Sequence, residues 1–183
     1  MNATRLCCLL ACLLAAGCSR SAPKTTLQEY MEGQINPAGD YLFKSVQDVS
    51  DANGVRLKAP RTETEWQGVR DRLAVLHDAP DILTAPGLKA APSGFKSEHP
   101  GIESPPEWIQ HAIDTNRADF NKRALKLQAT ADVASAAVDA HDPHALVKAL
   151  DGVDKACEGC HLHYFYPNDR RAWQAAKEDG GVD

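Results

Sequence analysis

Ala156-Cys157-Glu158-Gly159-Cys160-His161-Leu162-His163-Tyr164-Phe165-Tyr166-Pro167 is the stretch from which the rest of the chain is read. It holds two thiols three residues apart, with a histidine directly after the second. That is the spacing for covalent haem attachment: each thiol adds to one vinyl group of the porphyrin, and the adjacent imidazole binds iron from one face. On a helix, Cys157 and Cys160 stand at i and i+3 and His161 at i+4, so one face carries both thioethers and the proximal ligand. A zinc site would want four ligands, and the body of the chain has no second Cys pair. A thioredoxin-type pair would follow a strand and open a helix, whereas this one comes late in an Ala/Leu-rich helical pattern.

The remaining cysteines agree. Of six, Cys7, Cys8 and Cys12 lie in an apolar N-terminal leader and Cys18 ends it, which leaves Cys157 and Cys160 alone in the body. Arg5 supplies a positive start and Leu6 to Ala16 an apolar run, too short for a spanning helix, which needs roughly 20 apolar residues. Ala15-Ala16-Gly17 before Cys18 resembles a bacterial lipobox, with Ala15 where Leu is usual. That resemblance implies a signal peptide over 1–17, a diacylglycerol on Cys18 and, with Ser19 next, a periplasmic protein anchored in the outer membrane. The alternative is simple cleavage near Gly17, releasing a soluble periplasmic protein. Either form of export suits haem attachment, which takes place outside the cytoplasm.

After a short tether over 18–25, about 165 residues remain from Cys18 on, which points to one domain. The chain carries 25 acidic and 20 basic residues, so no strong positive field is available for nucleic acid. Abundant Ala favours helix.

The apolar spacing predicts an all-α chain of four helices. Thr26 and Glu29 form a capping box opening the first, whose stripe runs from Leu27 through Met31, Ile35 and Leu42 to Val49; Pro37 should kink or break it near Asn36. Residues 51–61 read as a loop. Thr62 and Glu65 open the second helix, with Trp66, Val69, Leu73 and Leu76 inward and Pro80 ending or bending it. Residues 84–106 hold five of the 11 prolines and form a long irregular connection. Ser104-Pro105-Pro106-Glu107 opens a third helix running to Ala140. Asp142-Pro143 opens the fourth, with Leu146, Val147, Leu150, Val153, Ala156 and Cys160 inward. The haem domain is expected over 26–167, and 168–183 as a loosely packed tail.

Four amphipathic helices with the haem motif in the last resemble the class II c-type cytochromes, the cytochrome c′ type of antiparallel four-helix bundle. The Tyr164-Phe165-Tyr166-Pro167 ending, Met31 with Ile35-Asn36-Pro37, and Ala59-Pro60-Arg61-Thr62 with Trp66 are similar to a proteobacterial lipoprotein subgroup of that family. The resemblance implies one covalent haem c held by Cys157, Cys160 and His161, redox-protein partners, a homodimer through the first two helices, and Met31 as the sixth ligand.

The residues leave that sixth position open. Met31 is the one methionine after the leader. A His/Met pair raises the iron potential and suits an electron carrier; if Met31 is only core packing, the iron is five-coordinate and binds nitric oxide or carbon monoxide. Trp66 and Tyr164, with Tyr30 and Trp108, are candidate pocket walls. His77 and His111 are weaker alternatives for iron, and His163 points away from it. No catalytic acid–base pair stands out, so the chain reads as a carrier and not an enzyme, with the gas-binding protein and a non-haem helical scaffold as alternatives.

Overall fold

The computed structural model describes residues 21–52, 54–97, 99–178 and 180; the leader and Cys18 lie outside them. Most of the described chain is helical, in keeping with the expected all-α class. The first rod comprises α1 (Leu27–Tyr30), a π turn (Met31–Ile35) and α2 (Asn36–Ser45). Thr26 caps it as expected: its side chain accepts from the Glu29 N–H, and the Glu29 carboxylate accepts the Thr26 N–H at 2.8 Å.

Of the kink or break expected near Asn36, the chain shows an irregularity without a break. The π turn absorbs the misfit, with the Asn36 N–H bonded to Met31 O five residues back, and Pro37 falls in the first turn of α2, where a missing donor costs least. One expectation is corrected: the helix does not run to Val49. Val46 is extended (φ −139°, ψ 124°), and the chain enters an antiparallel hairpin of β1 (Gln47–Asp51) and β2 (Gly54–Lys58), with Gln47 opposite Lys58 and Asp51 opposite Gly54. In β2, Val55 and Leu57 alternate with Arg56 and Lys58, a period of two. Gly54, at φ +110°, supplies the turn conformation that a side chain would resist.

Helix α3 (Glu63–Leu83) opens on the Thr62–Glu65 capping box and buries Trp66, Val69, Leu73 and Leu76, as expected. Pro80 stays inside it, and its carbonyl accepts from Thr84 N–H at 2.9 Å. The Pro-rich connection is docked: Ala85, Leu88 and Ala90 are buried, and the α1 amides of Leu27 and Gln28 donate to Lys89 O and Ala90 O at 2.8 and 3.0 Å. Amides left over at a helix start thereby find partners.

The expected third helix is two. Helix α4 (Pro106–Thr115) begins after Pro105, with no side-chain cap, and α5 (Arg117–Asp139) follows a break at Asn116 (φ −120°, ψ 40°). Tyr164 Oη donates to Asn116 O at 3.3 Å across the break. Ser104, expected to cap, is buried and donates its N–H to Phe165 O at 2.7 Å.

Helix α6 (Pro143–Tyr164) follows a short joint in which His141 takes a left-handed conformation, φ 51°. The Asp142 side chain caps α6, accepting from His144 and Ala145 N–H, both at 3.0 Å. Val147, expected inward, is exposed. Helix α7 (Arg170–Glu178) stands where a loose tail was expected.

Helices α3 and α6 both pack along α5, and α2 packs along α3. Leu42, Leu73, Leu76 and Leu146 are fully buried between them, each contributing roughly 1.5–3 kcal/mol of transfer free energy. Among the described residues, no helix is long and apolar enough to cross a membrane.

Candidate haem-attachment site

Cys157, Cys160 and His161 all lie on α6, so the helix brings the two thiols and the imidazole to one face, as the spacing predicts. Both cysteines are free and partly buried against the core. Burial raises the Cys157 thiol to about 12, helped by the neighbouring Cys160, Asp154 and Glu158; burial also raises Cys160, to about 11, with Arg123 opposing it. Burial lowers the His161 pKa against the pull of Glu158 and Asp154, which favours the neutral imidazole, the form that binds a metal.

The same helix face opens toward the first rod. A cavity of about 320 Å³ lies between α2 and α6, lined by Phe43, Val46, Gln47, Val147, Leu150, Asp151 and Asp154. Cys157 follows Asp154 by one helical turn, so the stripe from Leu150 through Asp154 leads to the thiols. On α2, a Cβ added at Gly39 would meet only the Phe43 ring, at 3.8 Å.

Past the end of α6 the chain folds back around His161. Phe165 and Tyr166 both donate their N–H to His161 O, at 2.7 and 3.0 Å. Their rings lie 6.0 and 5.9 Å from the imidazole. Tyr166 Oη donates to Glu158 Oε2 at 2.5 Å.

Tyr164 is buried, edge-to-face with Phe120 at 5.2 Å, and donates to Asp119 Oδ2 at 3.0 Å. Asp119 also accepts from Arg123 Nε at 2.7 Å, and Arg123 Nη1 donates to Gly159 O at 2.8 Å. These three side chains bind α5 to the attachment turn. Asp119, Arg123, Glu158 and Tyr166 were not singled out from the sequence as partners of the site. An acid and a base at i and i+4 on α5 is the one signal that pointed to the first two.

Residues 88–164 match the model of the family described as Cytochrome C'. Over those residues the chain is cytochrome c′-like, which supports a class II c-type cytochrome. The match takes in α4, α5 and α6 up to Tyr164, and it ends outside the rod that carries Met31. No curated protein and no solved structure matches this chain. The family carries covalently bound haem c, and the residues fit that group. Two unpaired thiols and a partly buried imidazole share one face of α6, and a cavity opens beside the turns that precede them.

Other expected pocket residues of this chain fall elsewhere. Trp66 packs against His141 at 5.1 Å, beside the start of α6. Cys157 is fourteen residues beyond Pro143, about 21 Å along the helix, so Trp66 is no wall of this site. Trp108 is exposed and lines a second cavity of about 460 Å³ with His111, Asp119, Arg123, His163 and Tyr164. Met31 is partly buried against the core on the π turn, which packs on α3. Burial raises the phenol pKa of Tyr30, beside it, and the charges of Asp78 and Asp81 add to the shift. His77 is exposed and bonded to Asp132 Oδ1 at 2.6 Å, away from the thiols. His163 Nδ1 lies 2.8 Å from Gly159 O.

Proposed function

We propose that this chain is a monohaem periplasmic electron carrier, held to the outer membrane by a lipid on Cys18. The reading is supported above all by Cys157, Cys160 and His161 on one face of α6, a turn beyond the opening toward α2. In this reading Cys157 and Cys160 hold the porphyrin through thioethers and His161 binds its iron. The bound haem supplies reversible one-electron chemistry. The protein holds the group, keeps water from the imidazole through Phe165 and Tyr166, and presents it to redox-protein partners without turning over a substrate.

The first rod, α3, α4 with α5, and α6 form an antiparallel four-helix bundle in this reading. The haem domain extends over 26–167, after a signal peptide at 1–17 and a tether at 18–25. Met31 is the sixth ligand. Its place on a π turn favours this, because such turns are frequent at functional sites.

The test is expression with a haem-attachment system, followed by mass spectrometry and optical spectra of the exported protein and its Met31→Ala variant. One haem per chain is expected, with a thioether–ferric haem charge-transfer band lost on substitution. A colourless product ends the reading. A high-spin spectrum unchanged by Met31→Ala leaves haem but replaces the carrier with a five-coordinate binder of nitric oxide or carbon monoxide.

A further inference from the structure

The carbonyl of Gly159, between the two cysteines, is held from outside its own helix. Arg123 Nη1 donates to it at 2.8 Å, and His163 Nδ1 lies at the same distance. The guanidinium is tied in turn to Asp119 by its Nε at 2.7 Å, and the Asp119 oxygen that accepts it also accepts from Tyr164 Oη at 3.0 Å. An ion pair on α5 is thus fastened to α6 at Gly159 and Tyr164, the residues that flank Cys160 and His161 on either side. The pair is partly covered, with 21% of the Arg123 side chain and 42% of the Asp119 side chain exposed. Charges in such a setting act on their neighbours more strongly than charges in free solvent.

We propose that Arg123 and Asp119 are positioning residues that tune the redox group: a charge pair clamped to the backbone of the attachment turn, whose balance sets how easily the bound iron is reduced. The inference rests on the electron-carrier reading. Reduction moves one electron from a reduced one-electron carrier protein to the ferric iron, and no bond forms or breaks. The centre loses one positive charge in that step. A nearby cation therefore favours the reduced form and a nearby anion the oxidised form. Fixing both charges through Gly159 and Tyr164 keeps them at a constant distance from the turn that bears His161.

The experiment is a potentiometric titration of the haem-loaded full chain, followed optically, for the wild type, Arg123→Gln, Asp119→Asn and the double variant. Covalent haem content and circular dichroism are measured alongside. Arg123→Gln is expected to shift the midpoint potential down, Asp119→Asn to shift it up, and the double variant to return it near the wild-type value. Loss of a structural contact alone would move both single variants the same way. Shifts of one sign, or no shift, overturn the proposal. If Arg123→Gln does not fold, Asp119→Asn set against Arg123→Lys carries the same comparison, with Arg123→Lys expected near wild type and Asp119→Asn above it; any other order overturns the proposal. A wild-type chain with no added haem mass overturns the carrier reading itself, and this is seen before any potential is measured.

Discussion

Tyr166 Oη donates to Glu158 Oε2 at 2.5 Å, so a residue beyond the end of α6 is fastened to one between the two cysteines, with His161 enclosed by the loop. The aromatic strap is held at both ends, since Ser104 N–H also bonds Phe165 O at 2.7 Å. Replacing Tyr166 with Phe keeps the ring and removes the bond. The expected loss is about 1 kcal/mol, typical of one hydrogen bond, measured by urea denaturation with the slope unchanged. Unaltered stability would mean that the bond does not hold the strap in solution.

The Tyr164 phenol is shifted up by burial first, then by its bond to Asp119 and that carboxylate's charge. A phenol whose folded pKa exceeds its unfolded value contributes stability that is fully present below about pH 10. That stability is lost as the pH climbs through the folded pKa. The wild type should therefore lose more stability above pH 10 than Tyr164→Phe does. Thermal unfolding followed across the alkaline range measures this, and parallel curves for the two proteins would contradict it.

His141 occupies a left-handed conformation, with the Trp66 ring at 5.1 Å and Glu63 Oε2 at 3.0 Å from its Nε2. Alanine at 141 would lose both contacts and keep the strain, whereas glycine would lose the contacts and relieve it. His141→Gly is thus expected to be more stable than His141→Ala by about 1 kcal/mol, read from paired denaturation curves. The reverse order would show that the joint is not left-handed.

Leu73 and Leu146 are fully buried. Leu73→Ala and Leu146→Ala should each cost about 2–5 kcal/mol. Thr62→Ala, which removes half of the exposed capping box of α3, should cost about 1 kcal/mol. Calorimetric melting separates the two classes, and a cap variant as damaging as a core variant would contradict this packing.

The legible parts of this fold were those written in local signals. Thr26–Glu29, Thr62–Glu65 and Asp142-Pro143 mark helix starts by side-chain chemistry that acts within four residues, and all three are in place. Trp66, Val69, Leu73 and Leu76 repeat at helical spacing and are buried together. The hairpin was missed because Val46 and Val49 also fit a helical stripe, and the register pairs each apolar residue with a polar one (Val49 with Arg56, Val55 with Ser50, Leu57 with Asp48), so the strands share no apolar face to announce them. The break at Asn116 was missed because Ile113 and Phe120 remain in register across it, both inward. At the site, the thiols and imidazole were read directly from their spacing. Arg123 and Tyr166 act through a carbonyl and a carboxylate brought near by tertiary packing and the end of α6, and spacing does not report such partners.

The joint between α5 and α6 spans residues 140–142, while α3 is separated from α4 by the 22 residues of 84–105. Closing the first loop costs little chain entropy, and closing the second costs more. Contacts between α5 and α6 are correspondingly local, which favours early formation. In pulse-labelled hydrogen exchange during refolding, α5 and α6 should gain protection ahead of α1. Earlier protection of α1 would contradict that order. The part of the molecule that carries the family's signature then contains the hairpin that assembles first, and the first rod docks on α3 afterwards.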